Sequence, residues 1–297
     1  MTGIAPTRLT TVVSFLIAGL FTLCETADAM PAFAREYGVS CNVCHAAYPR
    51  LNDFGQRFAG DMNFRMGNWR DHTVPTGDEM LALSKSLPLG ARAQAFVQAR
   101  DGESIDPVSG EVVADSSLDF QAPYLLKLLS SAPLTDHISY YFYMIFAEKG
   151  ANTEVIVEDA WFSYDDLFGT GVGLQLGQFQ LSDLMFPREI RLTFQDFMAY
   201  RFAGITYDRG LLFGRGFGPV DVSLGLVNGN GIEQNFNITS PGYRRPDHLF
   251  DNDTGKSVFG RVGTTVGPAS VGLFLLSGEQ QNATGAAGLD SGDRDTD

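Results

Sequence analysis

The stretch "VDVSLGL", Val220 to Leu226, alternates without a break. Val220, Val222, Leu224 and Leu226 fall on one side of an extended chain, and Asp221, Ser223 and Gly225 on the other. Successive side chains of a strand point to opposite faces, so the stretch predicts a strand with one apolar and one polar face. The pattern recurs along the chain. "ARAQAFVQAR" sets Ala91, Ala93, Ala95, Val97 and Ala99 against Arg92, Gln94, Gln98 and Arg100. "VGLQLG" sets Val172, Leu174 and Leu176 against Gly173, Gln175 and Gly177, and "VFGRVGT" sets Val258 and Val262 against Phe259, Arg261 and Gly263.

A soluble sandwich alternates in the same way, so the connections decide between the two. The pattern predicts nine strands, near 89–100, 117–130, 137–148, 154–165, 171–180, 201–212, 219–228, 256–266 and 269–279. The connections before the third, fifth, seventh and ninth are short: "SAPLTD", "DLFGT", "FGRGFG" and "GPA". Most of the others are long, with 101–116 and the stretch from Gly229 to Gly255 the most extended. Short turns at one end and long loops at the other are the pattern of a transmembrane β-barrel of the outer membrane. "HISYYFYMIF" and "DAWFSYDDLF" then supply aromatic girdles at the interfaces. Such barrels close with an even strand number, and an open edge cannot face lipid. The odd count, with the polar ending "GLDSGDRDTD", therefore predicts a barrel lacking its later strands.

Ahead of the strands, residues 1–29 have the form of a secretory signal peptide. Arg8 precedes the apolar core "TVVSFLIAGLFTL", and "ADA" (Ala27 to Ala29) offers a cleavage site before Met30. The apolar run is shorter than the roughly 20 residues a membrane helix needs. Leu23 before Cys24 argues against lipidation. The chain carries a net charge of −14, which argues against a nucleic-acid partner. It contains 33 glycines, 23 Phe and 10 Tyr but no second long apolar stretch, which favours a β-rich exported protein.

Between signal and strands, residues 30–87 form a separate unit containing "SCNVCHAAYPR". Cys41, Cys44 and His45 give C-x-x-C-H, in which two thiols add to the haem vinyl groups and the His takes an axial iron position. A zinc site needs a second ligand pair, and the remaining cysteine, Cys24, lies in the signal. About 58 residues is little for an independent core, so one covalent haem c is expected to form much of it within a small α-helical c-type cytochrome segment. "LNDFGQRFAGDMNFRMG" carries mixed helical spacing. Met66 is the preferred distal ligand, with Met62, Met80 and His72 as alternatives. The barrel follows over residues 88–297.

Two resemblances follow from these residues. "MPAFAREYGVSCNVCHAAYPRLNDFGQRF" resembles the N-terminal signature of the fused cytochrome–porin family of iron-oxidising bacteria, with Pro31, Phe33, Ala34, Arg35, Gly38, Cys41, Cys44 and His45 matching. Glu36 and Tyr37 depart from the usual Gln-Thr. "VGLQLGQFQLSDLMFPREIRLTF" and "VDVSLGLVNGNG" resemble phosphate-selective-type porins, in which an inward-folding loop follows a strand. The first resemblance implies a ferrous-iron-oxidising outer-membrane protein. It would take electrons from extracellular Fe(II) or another reductant and pass them to a periplasmic c-type cytochrome or copper protein. The hydrocarbon layer is about 30 Å thick, so the haem unit is expected to enter from the periplasmic side and rise within the barrel. Arg92, Gln94, Gln98, Arg100 and Arg261 would line the lumen around it.

Two other functions compete. One is an anion-selective porin using Arg188, Arg191 and Arg201, with the haem unit as sensor or plug. The other is a periplasmic carrier with a soluble β-domain. Asp101, Glu103, Asp106, Glu111 and Asp115 form an acidic loop that could attract Fe(II), although solvated surface loops are commonly acidic. His72, His137 and His248 lack partner spacing and are assigned no metal.

Overall fold

The computed structural model describes residues 32–47, 50–78, 80–114, 117–148, 155–184, 205, 207–229, 254–267, 269–281 and 293–296. Nine long strands appear where alternation placed them. They are β1 (Leu89–Arg100), β2 (Ser117–Pro133), β3 (Ile138–Glu148), β4 (Ile156–Tyr164), β5 (Gly173–Gln180), β6 (Tyr207–Phe217), β7 (Val220–Val227), β8 (Ser257–Val266) and β9 (Ala269–Gln281). A short β10 (Asp293–Thr296) pairs with β9. Every strand pairs antiparallel with its neighbour in sequence, so the sheet is an uninterrupted meander. The sixth strand runs past Leu212 to Phe217, and the long loop after β1 carries a small ladder, Glu103–Ile105 with Val112–Ala114. Among the described residues no pairing joins β1 to β9 or β10, so the sheet is open there rather than closed into a barrel.

The register turns the alternation of single strands into continuous rows. Phe162 pairs with Leu176, Leu176 with Leu211, Leu211 with Leu226, and Leu226 with Val258. A parallel row runs Phe213, Leu224, Gly260, Leu275. Along these rows Phe162, Leu176, Leu224, Leu226, Val258 and Leu275 are all exposed. The outer face is therefore an apolar band with none of the described residues packed over it.

The inner face reads differently. Trp161, Phe179 and Phe259 lie within the core cluster. Gly225 is flat beneath the Phe259 ring, and a Cβ there would overlap it. The inner face thus mixes the expected polar residues with large aromatic ones, because a further layer packs on it.

That layer is the N-terminal segment, which forms one compact unit with the sheet over Pro31–Asp297. It holds two short helices, α1 (Ala32–Tyr37) and α2 (Asp53–Ala59), and 3-10 turns at Cys41–Val43 and Trp69–His72. The helical spacing predicted over Leu51 to Gly67 yields only α2. Beyond it, Asn63 and Phe64 both take left-handed backbone conformations, at φ 45° and 60°. Such φ values are uncommon for non-glycine residues and persist where surrounding contacts fix them. Here the Ser139 hydroxyl donates to the Asn63 carbonyl at 2.7 Å, the Asn63 amide donates to the His137 carbonyl at 3.3 Å, and the Ser163 hydroxyl donates to the Asn63 side-chain oxygen.

The double left-handed turn drives Phe64 into the sheet. Its ring stacks on Tyr141 (5.9 Å, 8°) and Trp161 (5.9 Å, 25°), and on its other side on Phe33 of α1 (5.5 Å, 7°). Polar ties secure the segment to the short-turn end of the sheet. Arg70 pairs with Asp136 at 2.7 Å, and Arg65 with Asp165. The Asp136 carboxyl is held below the usual carboxylate range, mainly by the hydrogen bond from Arg70. Arg35 donates to the carbonyls of Leu87 and Leu89 at 2.7 and 2.8 Å, fixing α1 to the start of β1.

Candidate functional site

The C-x-x-C-H motif is built on a tight turn. The Val43 N–H donates to the Ser40 carbonyl at 3.1 Å and the Cys44 N–H to the Cys41 carbonyl at 3.2 Å. His45 opens a short ladder with Arg50–Leu51. Asn52 holds the turn from the far side. Its amide donates to the carbonyls of Asn42 (3.2 Å) and Val43 (3.0 Å), and its backbone N–H donates to that of Cys44 (2.9 Å). The same side chain caps α2 by accepting from the Gly55 N–H at 2.9 Å. One residue therefore starts the helix and positions the motif.

Gly55 completes the fit. A Cβ at this position would overlap the Cys44 carbonyl oxygen, so α2 approaches the motif as closely as only glycine allows.

Both thiols are free. Cys41 is exposed and Cys44 half-buried. Burial, and secondarily the nearby Cys41 thiol, pushes the Cys44 thiol above its usual range. Cys44 and His45 open onto a cavity of about 220 Å³ between segment and sheet. The segment contributes Phe33, Phe58 and Phe64 to its wall, and the sheet contributes Tyr141, Trp161 and Phe179. Arg92, Asp159, Gln175 and Asp183 add a polar side.

This donor set fits a covalently attached haem. Cys44 and His45 line a cavity rich in aromatic side chains, and Cys41 stands exposed on the same turn, so the two thiols and imidazole that covalent attachment uses lie on one short stretch of chain. Among the described residues no three His, Cys, Asp or Glu side chains converge as a site for a bare metal ion.

The distal candidates are placed elsewhere. Met66 and Met62 pack against the aromatic core, and neither lines the cavity shared by Cys44 and His45. Met80 is exposed. His72 lies edge-on to Tyr37 at 5.0 Å and within 3.2 Å of the Asn68 amide. The Tyr37 phenol is pushed up to about 12, first by burial and then by the Glu36 carboxylate.

Other residues singled out by pattern have local roles. Asp106 accepts from the N–H groups of Val108 (2.7 Å) and Ser109 (2.9 Å), which closes its loop and holds its carboxyl below the usual range. His137 pairs with Asp165 at 2.9 Å. Residues 1–29, Asp115, Arg188, Arg191, Arg201 and His248 lie outside the described residues.

The sequence reading missed Asn52 and Gly55, and the sheet side of the cavity. Asn52 carried a signal, since Asn directly before a helical stretch is a preferred N-cap. Trp161, expected in an aromatic girdle at the lipid interface, is instead buried on the inner face, because the N-terminal segment packs there; Phe179 carried no signal, since its role depends on pairing between distant strands. No protein-family model and no curated protein matches the chain.

Proposed function

We propose that this chain is an outer-membrane electron-transfer protein. It accepts electrons from extracellular Fe(II) at a single covalent haem and delivers them to a periplasmic c-type cytochrome or copper protein. One observation carries the reading: Cys44 and His45 face a cavity whose opposite wall is the inner face of the sheet.

Bound haem supplies a one-electron iron couple within that wall. Cys41 and Cys44 would anchor it through thioether bonds, and His45 would ligate its iron. Asn52 and Gly55 fix the backbone from which these three project. Phe33, Phe64, Tyr141 and Trp161 exclude water from the cavity.

The other face of the sheet supports a membrane setting. Exposed Leu, Val and Phe run in continuous rows across it, the kind of apolar face that marks a membrane or partner contact. β1, β3, β6 and β8 have 12, 11, 11 and 10 residues, matching the roughly 9–11 that span a bilayer when tilted. Pairing of β1 with strands beyond β9 would complete the barrel. The ties to Asp136 and Asp165 put the segment at the short-turn end, the periplasmic end of such barrels.

The test uses intact cells. A non-permeant ferrous complex added outside reduces the haem, read by its visible spectrum, without permeabilisation of the outer membrane. Reduction only after permeabilisation would place the haem out of reach of the extracellular donor and overturn the reading.

A further inference from the structure

The polar side of the cavity bears on how the haem is held, a question that rests on the proposed haem reading. A haem carries two propionate carboxylates, and a cavity that takes it must meet that negative charge. Among the described residues lining this cavity, Arg92 is the one Lys or Arg side chain. It projects from β1, the strand facing the segment that supplies Cys44 and His45.

The register sharpens the point. Arg92 stands directly opposite Lys127 on β2, and like charges in that relation destabilise a sheet unless each is compensated. Lys127 is compensated by Glu158 at 2.8 Å, with both side chains almost fully buried. Asp159 and Asp183 share the cavity with Arg92. A guanidinium has five N–H donors on a rigid fork, enough to serve a protein carboxylate on one edge and a second carboxylate on another.

We propose that Arg92 binds a haem propionate and through it sets the potential of the site. The match is chemical: a planar, permanently charged fork recognises a carboxylate with two parallel hydrogen bonds. It also has a predictable sign. A cation beside the haem disfavours the oxidised, more positive state, so Arg92 raises the potential.

The experiment compares the full-length wild-type protein with Arg92→Gln, Arg92→Lys and Arg261→Gln. Arg261 also belongs to the inner face but pairs with Asp221 away from the cavity. Each protein is assayed for covalent haem, for midpoint potential, and for the propionate band in its resonance Raman spectrum. Arg92→Gln is expected to keep its haem while its potential shifts negative and the propionate band moves. Arg92→Lys, which keeps the charge but not the fork, is expected to move the band with a smaller potential shift. Arg261→Gln is expected to match wild type. Haem-loaded Arg92 variants with an unmoved band and unchanged potential would overturn the assignment while leaving the haem reading intact. Should Arg92→Gln fail to accumulate, an unmoved band in Arg92→Lys overturns it alone. Absence of covalent haem from the wild type would overturn the underlying reading, and this one with it.

Discussion

On β4, Trp161 is 4 % exposed and the next residue, Phe162, is 57 % exposed. Both are large, apolar and aromatic, and they differ only in the face of the sheet they occupy. The contrast extends along the sheet, with Phe259 buried at 1 % and Leu275 open at 65 %. Inner aromatic residues are covered by the chain's own N-terminal segment, through interlocking rings and hydrogen-bonded backbone. Outer aliphatic residues have none of the described residues packed over them. Hydrophobicity alone therefore does not say where a side chain is buried. The inner face is specified by shape and the outer face by solvent.

Substitutions on the two faces should separate these roles. The largest effect is expected at the inner site, where Cys44→Ala abolishes covalent haem staining after denaturing electrophoresis. Strong residual staining would remove the haem from the comparison. Next, Phe64→Ala is expected to cost about 3–5 kcal/mol, the range for deleting a buried aromatic ring. Phe162→Ala on the outer face should cost much less, and equal losses in urea titrations would erase the distinction between faces. Third, Leu273→Arg should cost about 2–4 kcal/mol in a bilayer if the outer face meets lipid. It should cost under about 0.5 kcal/mol if that face meets water. Unfolding in liposomes against detergent-free buffer distinguishes these outcomes.

Smaller effects probe how the motif is seated. Gly55→Ala should cost about 1–3 kcal/mol, as overpacked positions do, and lower the yield of haem-loaded protein, because Cys44 must shift to admit the methyl group. The smallest effect concerns pH. Burial raises the Glu36 carboxyl above its ordinary value, partly offset by the hydrogen bond from Ser84. The folded state then holds a proton that the unfolded state has released, so stability falls as pH rises from the usual Glu value through the raised one. Glu36→Gln should flatten that decline in unfolding midpoints measured across the range. An unaltered slope would assign the pH dependence to other groups.

Much of this architecture was legible in the residues. Strict alternation in "VDVSLGL" and its counterparts gave all nine long strands, and unequal connections gave the two ends of the sheet. The C-x-x-C-H motif was legible because its residues are fixed by local spacing. Phe64 was not. Its insertion depends on two consecutive left-handed residues that are not glycine, a conformation that tertiary contacts select against local preference. The mixed helical spacing around it gave no sign of that turn, and Met66, preferred as a distal ligand because the iron has a sixth position, packs against the same aromatic core. Nor did alternation mark Trp161 and Phe179 as cavity walls, since a polar-face position is defined by its neighbours in sequence. What covers it is set by a segment far away along the chain.

That distance has a consequence in time. The hydrogen bonds that hold Asn63 join it to Ser139 and Ser163, separations of 76 and 100 residues. Closing loops of this length carries an entropy cost that the neighbouring hairpin β3–β4, with its local pairings, does not incur to the same degree. The hairpin must also exist before Phe64 has Tyr141 and Trp161 to stack upon. Docking of the segment is therefore a late event, although the segment precedes every strand of the sheet along the chain. On the proposed haem reading, the C-x-x-C-H turn stands clear of the sheet in that interval, accessible for attachment. The double left-handed turn at Asn63 and Phe64 then acts as a latch that closes once the strands have come together.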